Sequence, residues 1–211
     1  MKTRIYNLII LDASGSMCSI KTQTINGFNE TVQTIKDAQY KHEDQEHLVS
    51  LVVFNSSSID TVYDRVPVSD VKELNEDSYI PSCGTPLYDA MGGGLNALRP
   101  HVEAEDRVLV TVLTDGEENS SKEYSGNAIK AMVDELKGKG WVFTYIGANQ
   151  DVEKVAARIS IKNVVNFQAT GVGTAAMFER ERTSRTRFFD RLATHHNQVA
   201  DDMNEDYFKE D

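Results

Sequence analysis

The chain has 211 residues, with 33 acidic and 22 basic side chains and a formal net charge of −11 at pH 7. That length suits one large domain whose core needs no staples. The acidic balance excludes a phosphate-backbone binder, which needs a basic face, and disfavours an anionic membrane surface, while it suits cations.

Lys2 and Arg4 ahead of the apolar run Ile5 to Leu11 imitate the start of a signal peptide. The run is too short, contains Asn7 and ends at Asp12, so it reads as a first buried strand. Ile25, Phe28, Val32 and Ile35 recur at helical spacing. His47 to Phe54 reads as a second strand, and after the turn-like Asn55 to Ser58 comes Ile59 to Val68. That segment mixes Asp60, Asp64 and Arg65 with Val62, Tyr63 and Val66, as an antiparallel edge strand would. Leu87, Met91, Leu95 and Leu98 mark a helix closed by Pro100. Arg107 to Thr114 is a further buried strand, and Ile129, Val133 and Leu136 a helix ended by Gly138 and Gly140. Trp141 to Ile146 is a strand, Asp151 to Ile159 a short helix, and Asn163 to Phe167 a last short strand. A polar, Arg-rich helix is expected within Thr174 to Val199, and the acidic stretch Asp201 to Asp211 is expected to fray.

Alternating strands and helices define an α/β class: a three-layer, doubly wound domain with a mostly parallel sheet of about six strands. No repeat or linker divides it, so residues 1–199 form one domain and 200–211 an acidic tail. No stretch approaches the ~20 apolar residues that span a bilayer. With only Cys18 and Cys83, and no Cys-x-x-Cys pair, a reducing cytoplasm and two ordinary thiols are expected.

Three short motifs fall at element ends. Asp12-Ala-Ser14-Gly-Ser16 follows the first strand, Gly84-Thr85-Pro86 precedes a helix, and Asp115-Gly116 follows the strand ending at Thr114. Alone, Asp12, Ser14 and Ser16 read equally well as a turn or helix cap. In a dinucleotide-binding strand order, however, the first and fourth strands are neighbours, and ligands bind beyond their carboxyl ends. Asp12 and Asp115 then face each other, and Thr85 closes a third side. Two carboxylates and three hydroxyls are the hard oxygen set that suits magnesium or manganese, and calcium less well.

This pattern resembles the metal-ion-dependent adhesion site of von Willebrand factor A domains, with matches at Asp12, Ser14, Ser16, Thr85 and Asp115. The neighbouring text, Ile9 to Met17, Gly84 to Asp89 and Leu113 to Gly116, resembles that family too, over roughly residues 4–167. It is most similar in wording to stand-alone bacterial and phage members of tellurium-resistance type. The resemblance implies that Ser14, Ser16 and Thr85 ligate through hydroxyls, and Asp12 and Asp115 directly or through water. It also implies a position left open for a partner protein's Asp or Glu. A non-enzymatic, metal-dependent binding module is therefore expected.

The alternatives are a metal-dependent hydrolase or phosphotransferase and a metal-stabilised structural subunit of a bacterial complex. Against the enzyme, Ser14 stands where an aspartyl-nucleophile enzyme wants a second carboxylate, and neither a Gly-x-Ser-x-Gly elbow nor a Walker loop occurs. Asp89, Glu117 and Glu118 are expected to be solvated rather than to orient ligands or bind a second cation. Gly92-Gly-Gly94 is expected to let its helix approach the sheet. Gly171-Val-Gly-Thr-Ala-Ala176 comes too late in the chain to be a nucleotide loop. The Arg180 to Arg191 run reads as a solvated helix face, and the adjacent His195 and His196 point apart and form no chelating pair.

Overall fold

A computed structural model describes residues 2–148, 151–194 and 199–209. Six apolar or alternating runs form the strands β1 (Thr3–Asp12), β2 (Gln45–Asn55), β3 (Ser58–Pro67), β4 (Arg107–Thr114), β5 (Trp141–Ala148) and β6 (Asn163–Phe167). They pair in one sheet of order β3-β2-β1-β4-β5-β6. Every pairing is parallel except β2 with β3. The central strands β1, β4 and β5 are buried almost throughout, because helices cover both faces. The edge strand β3 is mostly exposed, and Arg65 within it takes a left-handed φ of 52° where the ladder shifts register.

The helices are α1 (Lys21–Lys41), α2 (Leu87–Leu98), α3 (Gly126–Lys137), α4 (Val152–Arg158), α5 (Gly171–Thr194) and α6 (Val199–Asp206). Side chains alternate between two core layers, as strand geometry demands. Ile5, Ile9 and Leu11 join Phe28 and Ile35 of α1 and Phe188 and Phe189 of α5. Tyr6, Leu8 and Ile10 join Leu95 of α2, Val133 of α3 and Ala156 of α4. The result is a three-layer α/β/α fold. No helix among the described residues is long and apolar enough to cross a membrane.

Two expectations are corrected. The Arg-rich run of α5 is not simply a solvated face, because Arg185 is fully buried. Its guanidinium donates to Glu181 Oε1 at 2.7 Å, Asn7 Oδ1 at 3.1 Å and Thr111 Oγ1 at 2.8 Å, which ties α5 to both β1 and β4. Burial works against that charge, but Glu181 and Tyr207 outweigh it and hold the Arg185 pKa above its usual value. The described part of the acidic end, to residue 209, does not fray either. Met203, Tyr207 and Phe208 are buried in the core layer beneath α1 and α5. Strand β6 first pairs with β5 at Thr144, so the edge of β5 before that point needs another partner. The Asn204 side chain supplies it, accepting from Phe143 N at 3.2 Å and donating to Trp141 O at 2.8 Å. His195 and His196 lie outside the described residues.

Candidate metal centre

Strands β1 and β4 run side by side in parallel to Leu11 and Leu113, so their next residues emerge together at the carboxyl edge of the sheet. There the chain turns sharply. Ser14 N donates to Asp12 Oδ1 at 2.6 Å, closing a tight loop that leads into a short 3₁₀ turn, Gly15–Ile20. Gly15 N donates to Cys83 O at 3.0 Å and Ser82 N to Ala13 O at 2.8 Å, so the segment before Thr85 lies directly against this loop.

All five predicted residues converge. Ser14 Oγ and Ser16 Oγ are 3.2 Å apart, and Ser16 Oγ donates to Asp115 Oδ1 at 2.5 Å. A Cβ at Gly116 would stand 3.1 Å from Thr85 Oγ1, 3.4 Å from Ser16 Oγ and 3.7 Å from Ser14 Oγ. The three hydroxyls thus surround a space that any side chain at position 116 would crowd. Asp12, Ser14, Thr85 and Asp115 are buried, whereas Ser16 is exposed, so the group opens to solvent at one side.

Electrostatics mark the group as anion-rich and short of donors. Burial pushes the Asp12 carboxyl up to about 6, against the bonds it accepts from Thr114 and Ser14, and Asp115 adds to the rise. Burial likewise raises Asp115, against its bond from Ser16. Asp115 Oδ2 is buried and accepts no hydrogen bond. A buried carboxylate oxygen left this way is costly unless a cation meets it. The residues therefore fit a divalent ion: two carboxylates for charge and three hydroxyls for neutral coordination. Among the described residues no three His, Cys, Asp or Glu side chains gather as a metal cluster, so this oxygen set stands apart from a zinc-type site.

Several further residues support the site. Thr114 Oγ1 donates to Asp12 Oδ2 at 2.6 Å, and the buried Tyr79 hydroxyl donates to Asp12 O at 2.5 Å. Asn119 holds Thr85 by both backbone groups: Thr85 N donates to Asn119 Oδ1 at 2.9 Å, and Asn119 N to Thr85 O at 3.1 Å. Thr114 adjoins a predicted ligand and was within reach of sequence reasoning. Tyr79 lies 67 residues from its partner, and only the fold joins them.

Asp89 and Glu118 do more than face water, contrary to expectation. Asp89 accepts from the backbone N–H groups of Lys122, Glu123 and Tyr124 at 2.7, 2.9 and 2.8 Å. Burial would raise the Asp89 carboxyl, but these donors prevail and hold it below its usual value. Glu118 accepts from Tyr88 N, Ser120 N, Ser121 N and Ser121 Oγ. Glu117 is exposed. Of the α2 glycines, Gly94 does approach the sheet at Val52 and Leu8, but Gly92 makes room for the Tyr124 ring and Gly93 faces open space. Cys18 and Cys83 are both free and exposed.

Comparison with known proteins yields similarity of fold alone. No family model matches the chain, and no curated protein matches it by sequence. Among solved structures, a von Willebrand factor type A protein from Catenulispora acidiphila superposes with a TM-score of 0.54 at 14% identity, over 88% of this chain and 43% of that one. A D319A mutant of the PilB minor pilin from Streptococcus sanguinis gives 0.62 at 13% identity, over 92% and 64%. The pilus adhesin SpaC from Lactobacillus rhamnosus GG, in its open conformation, gives 0.62 at 14% identity, over 90% and 30%. The chain thus spans less than two thirds of each of these relatives. The three-layer α/β/α arrangement of this chain, with its one antiparallel edge strand, is von Willebrand A-like.

Proposed function

We propose that this chain is a divalent-metal-dependent protein-binding module. In it, Asp12, Ser14, Ser16, Thr85 and Asp115 hold magnesium or manganese, and a partner's Asp or Glu completes the coordination. The observation that carries this reading is the convergence of three hydroxyls on the space beside Gly116, with the buried carboxylates of Asp12 and Asp115 bonded to Ser14 and Ser16 of that group and Asp115 Oδ2 left without a hydrogen bond. A bound ion would supply positive charge and a coordination position open to an external carboxylate. The chain's own residues supply the rest. Thr114 and Ser14 fix the Asp12 carboxylate, Ser16 orients Asp115, and the exposed Ser16 marks the side from which a partner approaches.

The motif text around the site resembles that of stand-alone bacterial and phage adhesion-site proteins of tellurium-resistance type, and one structural neighbour is named a pilus adhesin. Two free cysteines are compatible with a reducing bacterial cytoplasm as its setting. A phosphotransferase role is disfavoured because Ser14 stands where an aspartyl-nucleophile enzyme wants its second carboxylate.

Two measurements test the module. Calorimetric titration with MgCl₂ should show one site, and Asp12→Ala should lose more than the ~10–100-fold in affinity that outer-sphere partners command. The immobilised protein should then retain a partner from lysate of the source cells in magnesium, not in excess chelator and not as Asp12→Ala. Retention of the same proteins by the variant or in chelator would overturn the assignment.

A further inference from the structure

The N-terminus of α2 has no cap of its own. Its first residues follow Pro86, which has no N–H and no capping side chain, so the orphan donors of the first turn must be met from elsewhere. Two of them are met by the loop after β4. Tyr88 N donates to Glu118 Oε2 at 3.0 Å and Asp89 N to Ser121 Oγ at 3.1 Å. The same helix turn repays the loop, since the Asp89 carboxylate gathers the three successive N–H groups of Lys122, Glu123 and Tyr124. Helix and loop therefore cap each other.

The clasp has no slack. A Cβ at Gly84 would stand 2.5 Å from Ser120 Oγ and 2.9 Å from Asn119 Oδ1. The Tyr124 ring lies against Gly92, and its hydroxyl accepts from Asn96 Nδ2 at 2.9 Å. Thr85 sits at the start of this clasp, held by Asn119 through both its N–H and its carbonyl. Its hydroxyl reaches the space beside Gly116, which belongs to the same loop. Loop shape thus sets where Thr85 and Asp115 stand relative to each other.

We propose that Asp89 is the positioning residue of the metal centre. With Glu118 beside it, Asp89 holds the 116–124 loop in the shape that places the Thr85 hydroxyl beside Gly116, the residue next to Asp115, so metal affinity is set from outside the ligand set. This role rests on the metal-binding reading above. Asp89 itself touches no ligand atom; it acts through Asn119 and the loop backbone. An amide in its place keeps the size but brings a donor against N–H groups, so Asp89→Asn should break at least one of the three bonds.

The test is magnesium titration of the full chain by calorimetry, with melting in excess chelator alongside. Asp89→Asn is expected to weaken magnesium affinity about tenfold or more. Glu118→Gln should act in the same direction and serves if Asp89→Asn folds poorly. Val133→Ala, a core truncation on α3 that removes none of the clasp hydrogen bonds, should lower the melting temperature and leave the affinity unchanged. If the wild type binds no magnesium, the metal reading fails and the positioning role falls with it. If the wild type binds and both clasp variants bind equally well, the positioning role is overturned and the metal reading stands. It is also overturned if Val133→Ala weakens binding as much as Asp89→Asn does, because affinity would then merely follow stability.

Discussion

His47 illustrates how one buried side chain links protonation to stability. It sits in β2 with no exposed surface, its ring edge-on to Phe189 at 4.5 Å. Gln45 donates its amide to Phe189 O, which leaves Gln45 Oε1 to accept from His47 Nε2 at 3.0 Å. That fixes the neutral tautomer and leaves His47 Nδ1 buried with no hydrogen bond. Burial, then the Arg185 guanidinium and His42, push the imidazole down to about 3. The unfolded chain takes up a proton near pH ~6.5 that the folded chain refuses. Stability contributed by neutral His47 is therefore complete above that pH and is lost as pH falls from ~6.5 towards 3, at up to ~1.4 kcal/mol per pH unit. His47→Gln keeps a donor for Gln45 and cannot titrate. The difference in unfolding free energy between variant and wild type should shift in the variant's favour between pH 7 and pH 5 in urea titrations. A constant difference over that interval would mean that His47 is open to solvent in the folded protein.

At the scale of elements, α6 is held to the sheet by side-chain amides. Asn204 completes the edge of β5, while Asn163 donates to Met203 O at 2.7 Å and accepts from Tyr207 N at 3.1 Å. Asn204→Ala strands a buried N–H and a buried carbonyl on β5. It is expected to cost about 1–3 kcal/mol of stability, read as a lower denaturation midpoint. A cost near zero would show that water replaces the amide there. This docking was not legible beforehand, because Met203, Tyr207 and Phe208 are few among acids and carry no clear period. Strands and helices with a strong pattern were legible. β4, β6 and α2 coincide with their expected bounds, since apolar runs and proline or glycine breaks delimit them. The approach of Asp12 to Asp115 was legible too, because strand order follows from alternating elements and the two residues fall at the carboxyl ends of buried strands. The Asp89 clasp was not, since an acid in the first helical turn reads the same whether it faces water or a loop.

At the scale of the whole molecule, Arg185 joins the layer that carries α5 and α6 to the two strands that end in the candidate metal centre. Glu181 and Arg185 are one helical turn apart, a spacing that on a solvated surface contributes only a few tenths of a kcal/mol. Here both are buried, so the pair is neither optional nor cheap. Asn7 of β1, Thr111 of β4 and the Tyr207 hydroxyl, 3.3 Å from Glu181 Oε1, complete its surroundings, and Thr144 of β5 donates to Thr111 Oγ1 at 3.1 Å. One guanidinium thus keys α5 to β1 and β4 in a single register, which a purely apolar interface would not specify as narrowly. Arg185→Met leaves the Glu181 charge buried without its partner and should cost about 3–5 kcal/mol. Arg185→Met with Glu181→Leu removes both charges and should recover part of that loss, because no ion is then stranded in the core. Equilibrium denaturation of the two single variants and the double variant measures the coupling. Simple addition of the single losses would mean that each residue is held by its other partners and that the ion pair contributes nothing of its own. Recovery in the double variant would place the coupling in the pair itself, with Asn7 and Thr111 aligning it on the strands.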